Sequence, residues 1–371
     1  MRLPRPSPCL SLCAGGVVLG VVVLLLVWRK PIVIGVVMSR GTALGIEGNL
    51  AARLYRDLEP AVATGRVRYR IANPPLEEAA FRQSCHELVD AGATVLVGGM
   101  ISDTGLWLAA VAEERGVAAV GVTASTERLS GRDDHFVRLM MDTRSIGLCA
   151  AAYIQDQGYR RVLVVAGARN RSYTQSEAAS LQTAVGDAVV VIDEADLQTA
   201  ADWTAVIAPP VDAVYLAMAP VDHYLWCERI RAERPELALL GGEWAAFLYG
   251  RLSGPAVEGV TYITRRGPTN TVFAAQHDAY RSRHRQVPGV AAELTFACLH
   301  LVQGGIEQVG GDPDRLLAYW RRIGRADGPY GLVRFDATGD VVQPSCFVHR
   351  VQEGRLQLVA RIDNPLFGTA P

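Results

Sequence analysis

The chain has 371 residues, half of them apolar and a fifth charged, which is enough for two ordinary domains with sizeable cores. The formal net charge is −1, and no basic run or acidic tail is present, so nucleic acid is excluded as a partner. Seven cysteines without a C-x-x-C signal neither a disulfide framework nor a zinc site, and the scattered ones read as small core residues.

The first feature along the chain is "CLSLCAGGVVLGVVVLLLVW", Cys9 to Trp28, twenty residues without a charge. That length crosses a bilayer as a helix. Arg2 and Arg5 precede it and Arg29 and Lys30 follow, so the flanking charges leave its orientation open. A cleaved signal peptide needs small residues near a cleavage site, and Leu25, Leu26, Val27 and Trp28 offer none. Residues 1–30 are therefore expected to form an uncleaved transmembrane anchor, with cleavage as the alternative. "PIVIG" follows directly, leaving almost no linker.

Apolar runs then recur: "PIVIGVV" (31–37), "VRYRIA" (67–72), "TVLVGG" (94–99), "AAVGV" (118–122), "RVLVVAG" (161–167), "AVVVID" (188–193), "DAVYLA" (212–217) and "LALLGG" (237–242). Most are continuously apolar rather than alternating, as expected for parallel strands covered on both faces. Helix-like segments separate them. Leu50, Leu54 and Leu58 lie one turn apart, and Ala79, Cys85, Leu88 and Val89 belong to a helix ending at Gly92. This alternation predicts an α/β fold. The last hundred residues hold three helices and then strand-like pieces, with turns at Thr338-Gly339 and Glu353-Gly354.

No P-loop, G-x-G-x-x-G, G-x-S-x-G or H-E-x-x-H occurs, and none of the seven histidines pair at metal-ligand spacing. The sequence thus offers no catalytic residue, metal or cofactor, and a binding protein is expected rather than an enzyme. What remains is a set of polar residues at strand ends: Ser102, then Thr123 and Ser125, then Tyr173, then Glu243 beside Trp244. Ligands of open parallel sheets bind outside the carboxyl ends of the strands. Free N–H groups at helix starts suit a carboxylate, and Glu243 suits an ammonium group. Each has a plainer reading: the hydroxyls cap helices, Tyr173 packs, and Glu243 is a solvated loop acid.

From Pro31 to about Ile362 the chain resembles a type I periplasmic binding protein of the leucine/isoleucine/valine-binding branch. The stretches that carry the resemblance are "PIVIGVVMSRGTALGIEG", "ELVDAGATVLVGGMISDTGLWLAAVAEERGVAAVGVTASTERLS", "DDHFVRLMMDTRSIGLCAAAYIQDQGYRRVLVVAG" and "YGLVRFDATGDVVQPSCFVHRVQEGRLQLV", in that order. The resemblance implies two doubly wound lobes joined by three crossings. Lobe 1 would be 31–143 plus 266–345, and lobe 2 would be 144–265 plus 346–371. It implies closure of the lobes around a ligand by a hinge. Ser102, Thr123 and Ser125 would hold the ligand's carboxylate and part of its ammonium, Tyr173 would close over the ligand, and Glu243 would take the ammonium. It further implies a small amino acid-like or amide ligand captured on the periplasmic side of the inner membrane, with an ABC permease as partner or, alternatively, a membrane sensor partner. Departures fall around the pocket: Thr174 follows Tyr173 where glycine is frequent, and Met218 and Ala219 stand where an aromatic is frequent.

Overall fold

The computed structural model describes residues 30–197, 204–208, 210–247 and 254–367. The apolar segment expected to anchor the chain thus lies outside the described residues. Among those described, no helix is long and apolar enough to cross a membrane.

Each of the eight apolar runs forms a strand: β1 (Ile32–Val37), β2 (Val67–Ala72), β3 (Ala93–Gly98), β4 (Ala118–Gly121), β6 (Val162–Ala166), β7 (Val189–Asp193), β8 (Ala213–Ala217) and β9 (Ala238–Gly241). Two more lack a long apolar run, β5 (Phe136–Arg138) and β10 (Thr261–Thr264). The C-terminal part adds β11 (Arg325–Gly328), β12 (Gly331–Phe335), β13 (Val341–Val342), β14 (Ser345–Gln352) and β15 (Arg355–Asp363).

The first large sheet has the order β2-β1-β3-β4-β5, all parallel. The second repeats that winding as β7-β6-β8-β9-β10 and extends it with antiparallel β14 and β15. Parallel strands need crossovers, and the helices that supply them cover both faces. Ile34 and Val36 look into one core and Val33 and Val37 into another. Leu163 and Val165 face the opposite side of the second sheet from Val164. Edge strand β2 differs, with Val67 and Tyr69 buried and Arg68 and Arg70 exposed.

The helix Ala43–Leu58 carries the Leu50, Leu54, Leu58 stripe, but only Leu54 is fully buried and Leu58 is 49% exposed. A four-residue repeat advances slightly more than one 3.6-residue turn, so the stripe rotates off the core by its end. The helix Val290–Val309 is apolar on nearly every side and fills one face of the first sheet. Glu353 and Gly354 both take left-handed φ, 54° and 67°, and join β14 to β15 as a two-residue hairpin.

The chain passes between the two sheets three times: after β5 into the helix Thr143–Asp156, after β10 into the helix Ala274–His284, and from β13 to β14. Arg265 ties these passages together. Its Nη2 donates to the Asp142 carbonyl at 3.2 Å, and its own carbonyl accepts from Gln343 Nε2 at 3.1 Å.

Candidate functional site

The first wall begins where β3 ends. Gly99 has φ +73°, and a Cβ there would stand 3.1 Å from the Gly105 Cα, so the turn requires glycine. The turn opens the helix Ser102–Arg115. Its start is capped by Thr104, whose hydroxyl accepts from Ile101 N–H at 3.1 Å and donates to the Ile101 carbonyl at 2.9 Å. Ser102 has a different task. Its Oγ accepts from the N–H groups of Ser125 and Thr126, at 3.3 and 3.2 Å, and so fastens the loop after β4 to the loop after β3. Thr123 donates its hydroxyl to the Met100 carbonyl at 2.6 Å.

The second wall comes from the second sheet. Asn170, in left-handed conformation, precedes the helix Arg171–Val185. Tyr173 is buried and meets the Trp244 ring edge-on, with centroids 5.4 Å apart. Behind Tyr173 lies Glu177, whose Oε1 accepts from the Tyr215 hydroxyl at 3.0 Å. A Cβ at position 242 would collide with the Glu177 carboxylate, so Gly242 admits it. Burial, opposed by Tyr173, Arg265 and Tyr215, pushes the Glu177 carboxyl up to about 6. Burial also holds the Tyr173 and Tyr215 phenols well above their usual range.

Glu243 and Arg265, each 2% exposed, form an ion pair with Nη1 2.6 Å from Oε2. Burial works against the Arg265 charge and the Glu243 carboxylate for it, and the guanidinium ends above its ordinary value. The second carboxylate oxygen, Oε1, has no hydrogen-bond partner among the described residues.

The walls enclose a narrow cavity of about 20 Å³. Ser102, Thr123, Ser125 and Tyr173 all line it, and Glu243 does not. Arg265 lines it instead, with Asn170, Trp244 and Phe247 and the apolar Leu44, Met100 and Met140. Glu243 faces a second recess beside Thr264, Arg266 and His349. Sequence reasoning passed over Arg265 and Asn170. The available signal for the first was "TYITRRG", a basic pair at a strand's carboxyl end.

The walls touch. Asn170 Oδ1 accepts from the Asp103 N–H at 3.2 Å across the cleft. Ser172, Ser176 and Ser180 recur every four residues on one helix face and meet the segment after β4. Arg128 Nη1 donates to Ser172, the Glu127 N–H to Ser176 at 3.0 Å, and Ser180 to the Glu127 carboxylate.

The family model for periplasmic binding protein matches residues 32–355. The chain belongs to that family. Solved structures agree in fold. A leucine-binding protein, LivK, of Thermotoga maritima is 20% identical with a TM-score of 0.80, over 91% of this chain and 99% of that one. The branched-chain amino acid transporter substrate-binding protein LivJ of Streptococcus pneumoniae, in complex with isoleucine, is 18% identical with a TM-score of 0.75, over 90% and 99%. An ABC transporter solute-binding protein of R. palustris, in complex with benzoate, is 14% identical with a TM-score of 0.76, over 90% and 97%. No curated protein matches the chain in a sequence search.

Proposed function

We propose that this periplasmic binding protein captures a small, amino acid-sized ligand between its two walls outside the cytoplasm and presents it to an ABC permease. The observation that carries the reading is the cavity itself. Both walls contribute polar groups to it, and the Asn170–Asp103 bond joins the walls beside it. Ser102, Thr123, Ser125 and Tyr173 are its ligand-facing groups, and Glu243 acts through Arg265. The lobes are 31–143 plus 266–345 and 144–265 plus 346–371, hinged at the three passages. A leucine-binding protein and transporter solute-binding proteins in complex with isoleucine and with benzoate, all of the same fold, support a small organic ligand. The test is a thermal-shift screen of the full chain in detergent against amino acids, amides and small acids, followed by small-angle scattering. A stabilising compound should also reduce the radius of gyration. A bound compound that leaves the shape unchanged at saturation counts against capture by closure.

The uncharged stretch Cys9 to Trp28, joined to Pro31 almost without a linker, favours a second reading: a tethered sensor or accessory protein using the same cavity. Intact-mass spectrometry of membrane-extracted protein should find residues 1–30 still attached. A soluble form starting near Pro31 would remove the tether. Permease and ATPase genes beside this one would favour transport.

A further inference from the structure

The charged side chain on the cavity wall is a cation, and this bears on the ligand. A guanidinium carries five N–H donors. Two of those on Arg265 have protein acceptors, Glu243 Oε2 and the Asp142 carbonyl, and its buried Nε has none among the described residues. Buried donors are almost always satisfied, and Arg265 lines the cavity, so its unused donor capacity favours an acceptor on the ligand. On the opposite wall the Ser102 oxygen already accepts two backbone N–H groups, leaving its hydrogen to donate. Ser125, whose N–H is one of those two donors, lines the same cavity. Donors therefore converge from both walls. Among the described residues no carboxylate lines the cavity; Glu243 pairs with Arg265 and lines the second recess. An ammonium placed here would meet Arg265 first, and releasing Glu243 to receive it would break a buried ion pair.

We propose that the cavity selects a small apolar carboxylic acid without an α-ammonium group, its carboxylate held between the Ser102 and Ser125 hydroxyls and the Arg265 guanidinium. The rest of the ligand packs against Leu44, Met100, Met140, Trp244 and Phe247. Arg265 is then a specificity-determining residue. Because it also bonds the Asp142 carbonyl at the first passage between the sheets, the ligand's acid group is linked directly to the hinge. This inference rests on the capture reading and narrows it to one ligand class.

The experiment compares matched probes by calorimetry on the full chain in detergent. Leucine and 4-methylpentanoate share a skeleton and differ in the ammonium, and 4-methylpentanamide lacks the acid. Phenylalanine and 3-phenylpropanoate repeat the comparison with a ring. The acids should bind at least tenfold more tightly than their amino acid and amide counterparts. Arg265→Lys, which keeps the charge but loses the planar fork, should erase that preference even if it still folds and closes. Leucine binding as tightly as 4-methylpentanoate overturns the proposal and leaves capture standing, as does equal binding of the amide. An unchanged preference in Arg265→Lys also overturns it. If no probe binds, this inference fails, while capture is judged separately by the broader screen and scattering.

Discussion

The two walls of the cleft solve the same problem with different materials. The first uses small hydroxyls and backbone: Ser102, Thr123 and Ser125 bear no charge, and their bonds run to main-chain groups of neighbouring loops. The second uses large rings and buried charge: Tyr173, Trp244, Tyr215, Glu177 and the Glu243–Arg265 pair. A wall of the first kind is rigid because the sheet fixes its loops. In the second kind, each member depends on a partner far away in sequence, so the wall is costly to disturb and sensitive to protonation.

The largest effect should come from dividing the ion pair. Arg265→Met leaves the Glu243 carboxylate buried without its partner, a change worth about 3–5 kcal/mol of stability. Adding Glu243→Gln removes the orphaned charge and should recover at least half of that loss. Denaturant melts of the two single variants and the double variant form the cycle that isolates the pairing. Additive losses would mean the two side chains are not coupled in solution, and the contrast between the walls would vanish.

The same contrast explains what the sequence disclosed. The eight apolar strands were legible because burial on both faces leaves a local mark, and the first wall was legible because hydroxyls after strands are a local pattern. β5 and β10 were missed: "FVR" is too short to stand out, and "TYIT" begins and ends with a threonine. Arg265 was missed for a deeper reason. Its meaning depends on Glu243, Asp142 and Gln343, which only the fold brings together. Glu243 was singled out as an acceptor for a ligand ammonium, and composition at one position cannot show that its carboxylate also pairs with Arg265. The lobe passages were expected from family resemblance, not from any local signal.

A middle-sized effect should appear as a pH dependence of the second wall. Burial raises the Glu177 carboxyl from its ordinary 4.5 to about 6, with Glu243 adding to the rise and Tyr173, Arg265 and Tyr215 opposing it. The folded protein therefore holds this proton at pH values where the unfolded chain has released it. Stability from this group is complete below about 4.5 and is lost as pH rises through 6, by about 2 kcal/mol at ~1.4 kcal/mol per pH unit. Glu177→Gln keeps an acceptor for the Tyr215 hydroxyl but cannot ionise. Subtracting its stability curve from that of the natural protein also removes the opposite trend from His223, whose ring burial lowers to about 3. The difference should fall between pH 4.5 and 6 and be flat above. A flat difference throughout would show that Glu177 is hydrated in solution.

The smallest effect should come from the first wall, and it decides what Ser102 is for. Ser102→Ala removes an oxygen that accepts two backbone N–H groups at 3.2–3.3 Å, beyond the usual mode for such bonds. A neutral hydrogen bond contributes roughly 0.5–1.5 kcal/mol. The donors belong to Ser125 and Thr126, both buried, so water cannot readily replace the lost acceptor. A loss of about 1–2 kcal/mol is expected. The helix Ser102–Arg115 itself should not fray, because Thr104 supplies its cap. Hydrogen exchange therefore separates two origins of the same small loss. Faster exchange at Ser125 and Thr126, with the start of the helix unchanged, fits a clamp between loops. Faster exchange through Asp103, Thr104 and Gly105 would return Ser102 to the role of an ordinary helix-start residue.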